Sequence, residues 1–178
     1  MLTIDLQGDF FTLFGLKKIF HLNRDALDKS YLALQSQYHP DRATHLDSVA
    51  KHQHLSAATH INMAYQTLKF SLTRARYLLQ LAGIDTEEES NTAMPADFLM
   101  AQMQWHEDIQ SAKISQNVDE LEKLHQLLQD DMDALDETLG WVLDHQHDAI
   151  QAAKLVRQYC FYEKLDEEIG HAIESILF

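Results

Sequence analysis

Apolar residues along this chain recur every three or four positions and almost nowhere every second one. Leu27, Tyr31, Leu34 and Tyr38 fall on one helical stripe; Leu55, Ala58, Ile61, Tyr65 and Leu68 fall on another. Between the stripes stands His39-Pro40-Asp41. Pro40 has no amide hydrogen and drives His39 out of the helical region, so the first stripe must end there. Asp41 is suited to fold back onto nearby amides and fix a turn. Asn23 is the expected N-cap of a helix over residues 24–38. Before it, Asp9-Phe-Phe-Thr-Leu-Phe-Gly15-Leu reads as a short apolar helix stopped by Gly15. After the corner a polar loop from Arg42 to Lys51 leads into a helix ending near Lys69-Phe70. A further helix over 72–82 carries Leu72, Ala75, Leu78 and Leu79, with Gly83 as its stop.

From Ile84 to Pro95 the chain turns acidic and loses its apolar residues, which marks a linker. Ala96 or Asp97 opens a helix to about Ser115, with Phe98, Ala101, Trp105, Ile109 and Ala112 as its inward stripe. A break at Asn117–Asp119 precedes a second helix with Leu121, Leu124, Leu128, Met132, Leu135 and Leu139. A third covers about 147–177, with Leu155, Tyr162, Ile169, Ile173 and Ile176 on one side. Three long amphipathic helices in succession imply an antiparallel bundle. The heptads are too irregular, and the breaks too frequent, for a coiled coil. Five Gly and two Pro in 178 residues also favour long helices over hairpins, so the fold class is all-α.

Charge separates the two parts. Residues 1–82 hold nine Lys/Arg against six Asp/Glu, net +3; residues 83–178 hold five against twenty-two, net −17. An asymmetry of this size suggests two units with different partners, and it disfavours nucleic acid as a partner of the second; none is expected. The single cysteine, Cys160, rules out an internal disulfide or a Cys-built metal site and fits a reducing compartment. The N-terminus lacks the basic start and apolar run of a signal peptide, and no segment approaches the roughly 20 apolar residues of a membrane span. A cytoplasmic location and a monomer are expected. Eleven histidines raise the question of metal. The pairs His52/His54 and His145/His147 diverge by about 200° on a helix, so solvated histidines are expected, with no metal and no cofactor. No nucleophile, pocket or phosphate-cradling loop accompanies His39 and Asp41, so the chain is not expected to be an enzyme.

Four segments in order carry a specific likeness: Phe11-Thr-Leu-Phe-Gly-Leu16, Gln37-Tyr-His-Pro-Asp-Arg42, Ile61-Asn-Met-Ala-Tyr-Gln-Thr-Leu68 and Arg74-Ala-Arg-Tyr-Leu-Leu79. The first unit resembles a J-domain, and the set resembles the HscB family of J-proteins, whose acidic three-helix tail is matched here from Phe98-Leu-Met100 onward. The likeness covers nearly all of the chain after Gly8. It implies an L-shaped protein with a J-domain over 1–82, a linker over 83–96 and a scaffold-binding three-helix domain over 97–178. It also implies a co-chaperone that stimulates the ATPase of an HscA/DnaK-type chaperone through His39, Pro40 and Asp41 and brings the iron–sulfur scaffold IscU to it. The alternative is a J-protein serving another client and a general DnaK-type chaperone.

The sequence departs from the family in places. The second helix offers Lys29 and then Gln35, Ser36 and Gln37 where many J-domains carry a basic row. Chaperone contact is therefore expected at Lys29 and Arg42, with electrostatic steering weaker or shifted towards Lys17, Lys18 and Arg24. Ser71 stands where the family usually has Pro, and no Cys-pair zinc module is present. On the client side Leu99, Met100 and Met103 lie beside the inward stripe, and Glu107 continues their face. Phe161 sits about 100° around its helix from Tyr162. The family places its scaffold-binding surface on these two helices, which points to Leu99, Met100, Met103, Glu107 and Phe161. Gln104 replaces an acidic residue of relatives. Tyr31 and Tyr38 are expected to pack the helix pair.

Overall fold

The computed structural model describes residues 8–39, 47–86 and 95–177. Among them there are only helices, turns and irregular links, and the chain divides into two compact units, one ending at Ala82 and one starting at Gly83. Pro40, Asp41 and Arg42, the first seven residues, and most of the expected linker lie outside the described residues.

In the first unit α1 spans Phe10–Leu13, α2 Arg24–Gln37, α3 Ser48–Lys69 and α4 Ser71–Leu81. Side-chain caps define three of their starts. Asp9 accepts from the Thr12 amide at 2.9 Å, Asn23 from the Ala26 amide at 3.0 Å and Asp47 from the Ala50 amide at 2.8 Å. Gly15 closes α1 with φ +66°, a left-handed conformation that a side chain would oppose. Phe11, Phe14, Leu27, Ile61, Ala64, Tyr65 and Leu68 form the core, with Tyr31, Leu34, Tyr38, Tyr77 and Leu78 packed on it.

The α3 stripe is rotated from the expected one. Ala57, Ile61, Ala64, Tyr65 and Leu68 are buried, whereas Leu55 is 56 % exposed. Leu55 lies about 120° around the helix from Ile61, and the small Ala57 and Ala64 occupy the contact instead. α4 buries Arg74. Its guanidinium donates to the Leu68 carbonyl at 2.7 Å and to Ser71 Oγ at 3.3 Å and lies 4.7 Å from the centre of the Phe20 ring. Arg24 reaches the neighbouring Lys69 carbonyl at 3.1 Å. Two guanidinium groups thus satisfy the last-turn carbonyls of α3, where the helix dipole favours cations.

In the second unit α5 spans Ala96–Ile114, α6 Val118–Trp141 and α7 Ala149–Leu177, each packed on both others. Gln116, at φ +53°, turns the chain, and Asn117 caps α6 by accepting from the Glu120 amide at 3.1 Å. α6 widens into a π turn over Val142–Gln146, so α7 starts at Ala149 rather than 147. Ile109, Ala112, Leu121, Leu124, Leu128, Leu165, Ile169 and Ala172 make the core. Of the expected inward positions Ala101 is exposed, and Phe98, Trp105, Met132, Leu155, Tyr162, Ile173 and Ile176 are only partly buried; on α7 it is Ala152, Ala153 and Val156 that turn fully inward beside Leu155.

Candidate partner-binding sites

The end of α2 is framed by aromatic residues. Tyr38 ends the helix with its amide bonded to the Leu34 carbonyl at 2.9 Å, and the next residue, His39, is exposed. Tyr31 stacks on Tyr65 with centroids 3.9 Å apart and donates to Asn62 Oδ1 at 3.0 Å. Tyr65 donates to Asp28 at 2.9 Å. Tyr38 packs 5.2 Å from the ring of His54, whose Nε2 lies 3.0 Å from the His39 carbonyl oxygen. A groove of about 210 Å³ runs between the end of α2 and α3, and Gln35, Tyr38, His39, Leu55 and Asn62 are among its lining residues. The packing role expected of Tyr31 and Tyr38 is what the structure shows.

The nearby cations are differently occupied. Lys29 is exposed on α2. Lys18 pairs with Asp9 at 2.8 Å. Partial burial works against the Asp9 carboxylate, but the bonds from Lys18 and Thr12 outweigh it and hold its pKa below the usual value. The same bond to Asp9 raises that of Lys18. Arg24 serves the end of α3. Lys18 and Arg24 therefore have structural duties besides any steering.

On α5, Leu99, Met100 and Met103 are 47 %, 62 % and 63 % exposed, and Glu107 is exposed beside them. Gln104 donates to Asp108 at 2.8 Å along the same helix. Phe161 is placed otherwise than its companions. It is half-buried against the bundle core, edge-on to Phe98 at 5.6 Å and to His106 at 5.9 Å. His106 Nδ1 is 3.1 Å from Glu168 Oε2 on α7. Sequence reasoning passed over His106, although its spacing from Leu99 and Met103 (seven and three residues) puts it on their face. His54, expected as a solvated histidine, is instead half-buried with its ring on Tyr38; no sequence signal marks this, because its hydrogen-bond partner is a backbone carbonyl. The pair His145/His147 is split between partners: His145 stacks on Trp141 at 4.3 Å, and His147 Nδ1 is 3.0 Å from the Leu143 carbonyl oxygen. Among the described residues no three His, Cys, Asp or Glu groups stand together as a metal site, and no helix is long and apolar enough to cross a membrane.

A pair of packed helices with the sequence His39-Pro40-Asp41 between them, followed by an acidic three-helix bundle, defines a J-domain co-chaperone. Comparison with known proteins narrows the class. A family model described as the HSCB C-terminal oligomerisation domain matches residues 94–170. The chain is 50 % identical to the co-chaperone protein HscB homolog of Chromobacterium violaceum over 173 residues, covering 97 % of this chain and 98 % of that one. It is 41 % identical to the Azoarcus homolog over 175 residues, 98 % and 99 % of the two chains. Chaperone HscB from Vibrio cholerae superposes with a TM-score of 0.84 at 29 % identity, covering 95 % of this chain and 99 % of that one. Human co-chaperone HscB shares the fold, with a TM-score of 0.85 at 23 % identity over 94 % and 83 % of the two chains. The chain belongs to the HscB family.

Proposed function

We propose that this protein is a co-chaperone of iron–sulfur cluster assembly. It stimulates the ATPase of an HscA/DnaK-type chaperone through His39, Pro40 and Asp41, and it brings an IscU-type scaffold to that chaperone. In this reading residues 1–82 act as the J-domain, 83–96 as the linker and 97–178 as the scaffold-binding domain. The bundle binds through Leu99, Met100, Met103, Glu107 and Phe161, and Lys29 and Arg42 assist contact with the chaperone. The observation that supports it best is the patch on α5. Three large apolar side chains stand next to one another in water on a unit of net charge −17, and the bundle core does not use them. A contiguous, Met-containing exposed patch is a typical adaptable protein-binding surface. Its neighbours Glu107 and Asp108 give it an acidic rim suited to a basic edge on the scaffold.

The chain needs no bond chemistry of its own for this work. Holding chaperone and scaffold together makes their encounter intramolecular and raises the effective concentration of the client. The test is ATP turnover by an HscA-type chaperone with scaffold, comparing wild type with His39→Gln. The variant is expected to leave turnover at its basal rate while binding scaffold as tightly as wild type. Loss of both functions, or of neither, would contradict this division. Wild-type protein that fails to stimulate the chaperone would overturn the function as a whole.

A further inference from the structure

We infer that His54 is a positioning residue of the ATPase-stimulating corner, holding the peptide that leads into Pro40 by a hydrogen bond from α3. The inference rests on the function proposed above. His54 lies in the second turn of α3, half-buried, with its ring against Tyr38. Tyr38 is itself packed on the hairpin core, so the imidazole is fixed both by its own helix and by the residue that caps α2.

The bond has only one possible direction. The His39 carbonyl accepts only, so the nitrogen 3.0 Å from it, Nε2, carries the hydrogen and the tautomer is set. That carbonyl belongs to the planar unit joining His39 to Pro40, so anchoring it orients the entry to the tripeptide. Helical bonding cannot be extended through Pro40, which has no N–H. α2 ends at Gln37, so the His39 carbonyl lies past its last turn, and the donor from α3 ties that carbonyl to the hairpin. By this link α3 does more than pack against α2; it sets the geometry in which the corner is displayed. Without it the binding-competent arrangement is populated a smaller fraction of the time, and the apparent affinity for the chaperone falls in proportion.

The experiment uses full-length protein titrated into an HscA-type chaperone, reading the concentration for half-maximal ATPase stimulation and the stimulated rate at saturation. His54→Phe keeps a ring against Tyr38 but has no donor; His54→Gln keeps a donor without the ring. His54→Phe and His54→Ala are expected to raise the half-maximal concentration about 3- to 10-fold, the range expected for one lost hydrogen bond. The saturated rate and scaffold binding should be unchanged. His54→Gln is expected to stay within about 2-fold of wild type. Wild-type behaviour of His54→Phe would show that the ring or nothing at this position matters, and an equal loss in the Gln and Phe variants would show that the donor does not account for the effect; either overturns the inference. A nitrogen-15 spectrum of the isolated protein gives an arm independent of the chaperone: His54 should be the Nε2–H tautomer, and the Nδ1–H form would refute the positioning bond even if stimulation is normal. A wild-type protein that does not stimulate, with the Nε2–H tautomer present, would instead sink the function and spare the bond.

Discussion

Replacing Leu99 and Met103 together with Ala separates binding from folding, and the exposures set the size of each effect. Burying such a side chain fully contributes about 1.5–3 kcal/mol. Leu99 is 47 % and Met103 63 % exposed, so a partner covering both gains about 1 kcal/mol from each. Their loss should weaken scaffold binding by about 10- to 50-fold, at 1.4 kcal/mol per factor of ten. The fold loses less. The patch lies outside the core, and melting should fall by no more than about 5 °C. Phe161→Ala is the contrast. Its ring is half-buried among Phe98, His106 and the core, and truncation of a fully buried Phe costs about 3–5 kcal/mol. Half of that, in a unit of this size, lowers the melting temperature by about 10 °C. Calorimetric titration with an IscU-type scaffold reads the first effect and thermal unfolding by circular dichroism the second. The reasoning fails if the double variant binds like wild type, or if it melts as early as Phe161→Ala.

Arg74→Met should destabilise the first unit by about 2–4 kcal/mol, since it strips a charged donor from buried last-turn carbonyls and a cation from the face of Phe20; urea unfolding measures it, and Arg74→Lys should recover only part, because a single ammonium cannot reproduce the guanidinium fork. The Tyr65 phenol is raised above its ordinary pKa, first by donating to Asp28 and then by burial. A group whose folded pKa lies above its unfolded value of about 10 contributes stability below that pH and loses it as pH rises through the folded value. Tyr65→Phe should therefore lower stability by about 1 kcal/mol at neutral pH and flatten the alkaline loss seen in unfolding curves above about pH 10.

Much of the helix pattern was legible in the chain because its signals are local. Asn23, Gly15, Pro95 and Asn117 mark ends whose geometry depends on one residue and its immediate neighbours. The errors fell where a stripe must be assigned to one side of a helix. Leu55 looked like core by its spacing, yet Ala57 and Ala64 take the contact, since small residues let α3 approach the neighbouring helices more closely than leucine would. Ala101 failed for the converse reason: an alanine on an apolar helix face carries too little surface to show whether that face is buried. Phe161 stays among the proposed scaffold-binding residues, but its half-burial was not legible in the chain, because how far an aromatic at a bundle's edge is covered depends on its neighbours across the gap, here Phe98 and His106, which share no spacing with it.

The same reasoning explains why the hairpin's polar ties were the least visible part of the site and carry much of its definition. α2 places only Leu27 in full burial. Beside it Tyr31, Leu34 and Tyr38 pack on the core only partly buried, so apolar contact fixes proximity but opposes rotation and sliding weakly. Register must come from directional contacts: Arg24 to the Lys69 carbonyl at one end, Tyr31, Tyr65, Asp28 and Asn62 through the middle, and His54 to the His39 carbonyl at the other. These contacts lie at both ends and in between, so a shift of α2 along α3 breaks several at once. A hairpin whose proposed role is to offer His39 and Asp41 to a partner gains more from such ties than from a larger apolar seam, because hydrogen bonds specify position where apolar contact specifies only nearness.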